Sequence, residues 1–463
     1  MEKSKLRWCL SVVVCRSPAQ PRRMRFWLIT AGAMILTPVA ATAAQVPLDT
    51  EACVTVQDAP ATCLSTLVKA AGDAFTKGEP AIVERYAARA IAVAKAASVP
   101  PTIELGQAYN LLGTAVAELG SLPEGASYYA RAIEIYDGLA NADHDKRIAL
   151  HNLGWNLSDR REFDAAGNAF ARALTIARSL KDRDGEYRAY EGLGVVQYNA
   201  GRNAEADETL RRALGVAIQL WGDNDAETGR AYRMLGLNLD AQARYDDAEP
   251  IYRKALSIFV KTHGDKHVLT PMTYFNLAGT LLASGKFKEA AKMFGRSHVM
   301  YVALKGAGHP QTVAVAFQLG QVRWELGDER GGLTVMEESM AAMAKVSGNE
   351  DMTYAGQQKL LAMFLHQVGR HDEDERLRRE SLATYTKRLS PTDGSLIGAM
   401  AEFGTLLLFH EKPAEALAYH RLAATRLTKR LADSSRDSIL LNERNRKRSY
   451  YRMLVTTLWF VGP

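Results

Sequence analysis

The sequence predicts an all-α chain, a solenoid of about nine stacked helix–turn–helix repeats, and three observations carry that prediction. The first is the stretch Ala231–Phe259, AYRMLGLNLDAQARYDDAEPIYRKALSIF, which at helical spacing is two amphipathic helices with a turn at Ala243–Asp246. Leu235, Gly236, Ala248, Tyr252 and Ala255 stand where two helices cross closely, small residues at the contact and large ones around it. The second is recurrence. The small residue of the first helix falls at Ala71, Gly113, Gly154, Gly194, Gly236, Ala278, Gly320, Ala362 and Gly404, at intervals of 42, 41 and 40 and then 42 five times. Seven residues later comes a turn residue (Gly78, Gly120, Arg161, Gly201, Ala243, Gly285, Gly327, Gly369, Glu411). Nineteen later comes the small residue of the second helix (Ala90, Ala132, Ala173, Ala213, Ala255, Ser297, Ser339, Ser381, Ala423). The third is the connector: Gly222–Asp225, Gly264–His267 and Gly306–His309 repeat 42 apart, and Gly348 and Ser390 continue the series. Glycine there is a left-handed helix stop, and a polar residue in fourth place caps the next helix. Within the opening unit, Asp246 and Glu249 have capping-box spacing and Pro250 is placed in the first turn.

Taken in order, the chain begins with a processing segment. From Met24 a basic start at Arg25 leads into an apolar run, Phe26–Ala41, and the small-residue site Ala41-Thr42-Ala43. The run is short for a membrane span. Residues 1–44 are expected to be a signal peptide with an upstream extension, cleaved near Ala43/Ala44; an uncleaved anchor is the alternative. A bacterial periplasmic or secreted protein is the expected product. Residues 1–44 carry seven Lys/Arg against Glu2, and the whole chain is +6, so the remainder is near neutral and its charge does not point to nucleic acid. From His420 onward ten Lys/Arg face three acids, leaving an acidic body.

Of four cysteines, Cys53 and Cys63 lie beyond that segment, and an exported chain pairs such neighbours most simply as a disulfide; two buried thiols are the alternative. Residues 45–63 are expected to cap the array, 64–435 to form the solenoid and 436–463 a C-terminal capping helix. Two departures from the pattern stand out: Val83 replaces a small residue, and Asp374 and Arg378 occupy core positions.

The pattern resembles tetratricopeptide repeats, and its 42-residue period resembles the kinesin-light-chain-like subclass. Tyr245–Leu256 is similar to that subclass's second helix and Gly306–Pro310 to its connector, and the resemblance covers about residues 64–425. It implies a right-handed superhelix whose first helices line the concave wall, since one hairpin cannot bury its own apolar face but stacked ones share a core. Asn152 and Asn276 stand where asparagines of similar repeats hydrogen-bond a peptide backbone. Arg448–Trp459 is similar to the helix leading into caspase-like CHAT protease domains. The alternative function this implies is the regulatory half of a truncated or split protease.

Catalytic motifs are missing from the sequence: no phosphate-cradling glycine loop, no Gly-x-Ser-x-Gly elbow, no Cys-x-x-Cys. His263 and His267 are spaced i,i+4 but straddle a connector, where His267 reads as a cap. His366 and His371 flank a hairpin turn and read as a solvated turn. No metal and no cofactor is expected. The Asn156–Ser158 sequon falls in a repeat helix. Inward positions of the first helices hold Asn110, His151, Asn152, Trp155, Arg188, Glu191, Tyr198, Arg230, Arg233, Asp240, Asn276, Trp324, Lys359 and His366. Aromatics beside Arg and Asn supply stacking area, bidentate donors and backbone partners, which a peptide groove needs; Trp155 and Trp324 have inter-repeat packing as the alternative role. The expected function is therefore a non-enzymatic scaffold holding a peptide or protein partner.

Overall fold

The computed structural model describes residues 60–347, 351–433, 455 and 457. Its helices pair in chain order: α1 Pro60–Thr76 with α2 Pro80–Ala96, α3 Ile103–Glu118 with α4 Leu122–Asp137, α5 Asp143–Asp159 with α6 Phe163–Ser179, α7 Arg183–Asn199 with α8 Asn203–Trp221. There follow α9 Ala226–Ala241 with α10 Tyr245–Thr262, α11 Leu269–Ala283 with α12 Phe287–Lys305, and α13 Pro310–Glu325 with α14 Glu329–Ser347. The last pairs are α15 Met352–Gln367 with α16 His371–Arg388 and α17 Gly394–Phe409 with α18 Pro413–Asp433. Each small-residue marker of the sequence lies on the first helix of one pair, so the nine sequence repeats are nine hairpins stacked as a solenoid. Among the described residues there is no strand, and no helix is long and apolar enough to cross a membrane.

The hairpin turns share one backbone device. All nine turn residues have positive φ, from 57° at Glu411 to 105° at Gly120, including Arg161 at 62° and Ala243 at 58°. In the α9–α10 hairpin the Arg244 N–H donates to Leu239 O (3.0 Å) and the Ala243 N–H to Asp240 O (2.8 Å). This double closure satisfies carbonyls that a helix end otherwise leaves open. The next helix starts at once, which corrects the expected turn and capping box. α10 begins at Tyr245, Arg244 occupies the N-cap without a side-chain cap bond, and Pro250 lies inside the helix beyond its first turn. Glu249 pairs instead with Arg253 and with Lys286 of the next hairpin, at 2.8 and 2.6 Å.

Connector caps follow the sequence pattern. Asp225, His309, Asp351 and Asp393 accept from the backbone at the starts of α9, α13, α15 and α17, and His267 Nδ1 accepts from Leu269 N–H at 3.2 Å. A repeating bond invisible to the cap pattern sits beneath them. Thr228, Thr270 and Thr312 donate to the carbonyls of Gly222, Gly264 and Gly306 at 2.7, 2.8 and 2.9 Å.

The core runs through the stack where helices cross. The small residue of the second helix is at most 5% exposed in all nine hairpins. Ser297 and Ser381 do more than save space: their hydroxyls donate to Pro271 O and Ala355 O of the partner helix, at 2.8 and 2.7 Å. Val83 is buried like the small residues it replaces. Asp374 is fully buried where other hairpins have Ala248, Ala290 or Ala416, and it pairs with Arg378 and His366. Asn156 and Ser158 are buried, so the sequon offers no accessible acceptor.

α1 begins at Pro60, so residues 60–63 of the expected cap belong to the first hairpin. Cys63 is a buried free thiol there; Cys53, its expected partner, lies outside the described residues, as do the expected signal segment 1–44 and Gly348. The expected C-terminal helix is described only at Val455 and Thr457. Both are helical, and Thr457 is fully buried with its Oγ1 2.6 Å from His420 Nδ1.

Candidate functional site

First helices of successive hairpins approach one another along α1–α3, α3–α5, α5–α7, α7–α9, α9–α11 and α13–α15, and no successive second helices approach comparably among the described residues. Elements converge on the inside of a curved stack, so the first helices are its inner wall. Side chains bridge along that wall. Gln107 Nε2 donates to Asp145 Oδ1 at 2.8 Å, Asn152 Nδ2 to Asn110 Oδ1 at 3.1 Å, and Thr280 Oγ1 lies 2.9 Å from both carboxylate oxygens of Asp240.

Between α5 and α7 the wall is aromatic. Trp155 Nε1 donates to His151 Nε2 at 3.0 Å, and Phe170 of α6 meets both rings edge-on with centroids 5.4 and 5.5 Å away. Accepting at Nε2 requires the neutral tautomer with hydrogen on Nδ1, which is buried without a partner. Burial first, then the nearby cations Arg188 and Arg147, pull the imidazole down to about 4. His151 is therefore neutral at ordinary pH.

Between α7 and α9 the wall is charged. Arg188 and Arg230 are exposed; Arg188 Nε reaches Asp184 at 2.7 Å, and Arg230 Nε stands 3.7 Å from Glu227. Glu191 sits half-buried between the helices. Burial raises its carboxyl, the Arg230 guanidinium opposes the rise, and Tyr187 donates to it at 3.3 Å. Burial draws the Arg233 guanidinium down, and its Nε has no hydrogen-bond partner. Further along, burial pushes the Asp240 carboxyl up to about 7 against the pull of Thr280 and Tyr252, and burial likewise raises the half-buried Tyr198 phenol.

The structure thus gathers Asn110, His151, Asn152 and Trp155 into one patch and places Arg188, Arg230 and Arg233 in the next, joined by the influence of Arg188 on His151. Two expected residues stand apart. Asn276 is only 8% exposed, its backbone carbonyl accepting from Thr280, and it does not lie open as Asn152 does. Trp324 packs on Phe364 of the following hairpin with centroids 5.2 Å apart, which is the inter-repeat role. Lys359 is tied to Glu402 at 2.8 Å. Sequence spacing did not pick out Gln107 or Asp145, because each acts through a partner about one repeat away, nor Tyr187, which donates to Glu191 of its own helix.

The family model for the tetratricopeptide repeat matches residues 104–179, 186–260, 241–301 and 269–345, about half of the chain. The chain belongs to the tetratricopeptide repeat family. Its 42-residue tetratricopeptide repeats resemble the kinesin-light-chain-like type. Among solved structures it is similar to the apo form of RapI, at 14% identity and TM-score 0.55, over 79% of this chain and 98% of that chain. Similarity to the apo form of the quorum sensor NprR from B. thuringiensis is comparable, at 13% identity and TM-score 0.55 over the same shares. BtubC (BKLC) from P. vanneervenii aligns at 20% identity and TM-score 0.46 over 49% of this chain and 93% of that chain. A search of curated proteins gives no match. These likenesses are of fold: a stack of tetratricopeptide hairpins.

Proposed function

We propose that this tetratricopeptide repeat protein is a non-enzymatic scaffold that holds an extended peptide segment of a partner protein along α3, α5, α7 and α9. One observation carries the reading: four consecutive first helices present in succession a carboxamide pair, an indole with an imidazole, and two exposed guanidiniums. A peptide backbone needs amide partners, and a side-chain carboxylate or C-terminus needs bidentate cations. Arg188 and Arg230 are exposed and form their ion pairs among the described residues with carboxylates of their own helix, so exchanging those for a partner's carboxylate costs little. The sequence adds an export reading, in which the partner is met in the bacterial periplasm or outside the cell.

The test is a peptide array probed with the labelled chain from residue 45 onward. Extended peptides should be captured saturably, and the double variant R188A/R230A should bind about tenfold or more weakly while keeping the parental circular dichroism, since hydrogen bonds to charged groups are worth about 1.5–3 kcal/mol each. Equal capture by parent and variant would remove this stretch of wall as the site. N-terminal mass spectrometry of the protein made in a bacterial host tests export: a product uncleaved at Ala43/Ala44 contradicts it.

A further inference from the structure

We propose that His366, His371 and His410 form a binding site for a divalent transition-metal ion of the zinc class, joining the α15–α16 and α17–α18 hairpins. His366 lies in the last turn of α15, His371 opens α16, and His410 is the C-cap of α17. One ring nitrogen of each falls within 4.8 Å of the others, and all three residues are half-buried. The solvated turn expected of His366 and His371 is thus replaced by a cluster. Stacking brings in His410 from the next repeat, and Phe409 covers the group, its ring 4.7 Å from that of His366 and 5.3 Å from that of His371.

Of the two acids beside the cluster, Glu375 is arranged as an orienting group. Glu375 Oε2 lies 2.6 Å from His410 Nδ1, and Asp374 Oδ2 lies 3.0 Å from His366 Nδ1. A ligating histidine characteristically gives its other N–H to a carboxylate, which fixes the tautomer and makes the free nitrogen more basic. With His410 Nδ1 so engaged, its Nε2 is left as a lone pair; Asp374 stands close to His366 Nδ1 without a hydrogen bond to it. Arg378 occupies Asp374, and Lys412 and Arg379 occupy Glu375. Glu375 is therefore held back from serving as a ligand itself. His366 Nδ1, His371 Nδ1 and His410 Nε2 are each buried with no hydrogen-bond partner among the described residues. Three orphaned imidazole nitrogens, one from each ring, are an unsatisfied donor set, and a metal ion satisfies it.

Imidazole donors suit zinc, copper and nickel, not calcium or magnesium. Tetrahedral zinc with Zn–N of about 2.0–2.1 Å needs nitrogens about 3.3 Å apart. Closing from 4.8 Å asks only for rotation of side chains at a helix start and a helix cap. Three protein ligands leave a fourth position for water or for a donor from a partner.

The experiment uses the chelator-treated full chain, titrated with zinc against a chromophoric chelator. One tight equivalent per chain is expected, and cobalt(II) in its place should show the visible bands of tetrahedral nitrogen coordination. H371Q and H410Q should each weaken uptake by more than tenfold, and E375Q by about tenfold, the usual effect of an orienting carboxylate. H144Q, at an exposed position of α5, and H267Q, in the tilted His263–His267 ring pair, should leave it unchanged. Circular dichroism of each variant reports whether it folds. Stoichiometric uptake that survives H371Q and H410Q, uptake lost in H267Q, or no uptake by the folded parent at micromolar zinc overturns the assignment.

Discussion

Gly236 and Tyr252 meet where α9 crosses α10: a Cβ on Gly236 would stand 2.7 Å from Tyr252 Cε1. Tyr252 is fully buried and has nowhere to retreat. The same contact recurs sixteen residues apart as Gly154 with Phe170 Cζ at 2.7 Å and Gly113 with Tyr129 at 2.9 Å. G236A should therefore lower the urea midpoint, by about 1–3 kcal/mol of overpacking. G215A is the counterpart, because an added Cβ on this exposed residue of α8 meets nothing within 4 Å. It should gain up to about 1 kcal/mol from helix propensity. Parental stability in G236A would show that the crossing is not close.

Ala243 holds φ 58° at a turn where Gly201 and Gly285 stand in the neighbouring hairpins. A Cβ in that region costs about 1–2 kcal/mol, partly offset by the greater unfolded-state freedom of glycine. A243G should raise the Tm, and the same change at Arg161 or Glu411 should act in the same direction. A lower Tm for A243G in differential scanning calorimetry would contradict the shared turn geometry.

Thr270 is fully buried and donates to Gly264 O, with Thr228 and Thr312 doing the same in adjacent connectors. T270V keeps the shape and leaves that carbonyl unpaired, at about 1–3 kcal/mol. T270S keeps the bond and should lose less. If denaturant unfolding ranks valine above serine, the hydroxyl is not what holds the connector.

Asp240 should make stability fall as pH rises. Burial lifts its carboxyl from the ordinary 3.8 to about 7, so between those values the folded chain binds more protons than the unfolded one. Its contribution is fully present below about pH 4 and is lost on rising through about pH 7. His151 works the other way: held down to about 4 from 6.5, it costs stability as pH falls through that window. D240N should remove the decline toward neutral pH and leave the acid limb. Urea midpoints measured across the range decide it, and an unchanged slope in D240N would assign the decline to other groups.

Much of the fold was legible because a solenoid repeats its local chemistry with its sequence. The turn residue seven places after each small marker has positive φ in every hairpin, and Asp225, His309, Asp351 and Asp393 cap the helices that their spacing named. The capping box at Asp246 was misread because capping spacing also arises by chance inside a helix, and the start of α10 is set by backbone closure at Ala243. In the candidate groove, sequence named the wall but not which side chains lie open on it. Asn152 and Asn276 share one register, two residues before their markers, yet only Asn152 remains half-exposed.

By itself the sequence determined the repeat, its nine copies, its helix stops and the residues that let paired helices touch, because these depend on contacts within one hairpin or its connector. Only the tertiary structure decided which side chains of different hairpins meet. Arg188 beside His151, Thr280 on Asp240, and His410 beside His366 and His371 are such meetings. Each pairs residues about a repeat apart, and their approach is set by the tilt and offset of one hairpin on the next. Periodicity fixes how often a position recurs; the shape of each packed interface fixes what it meets there.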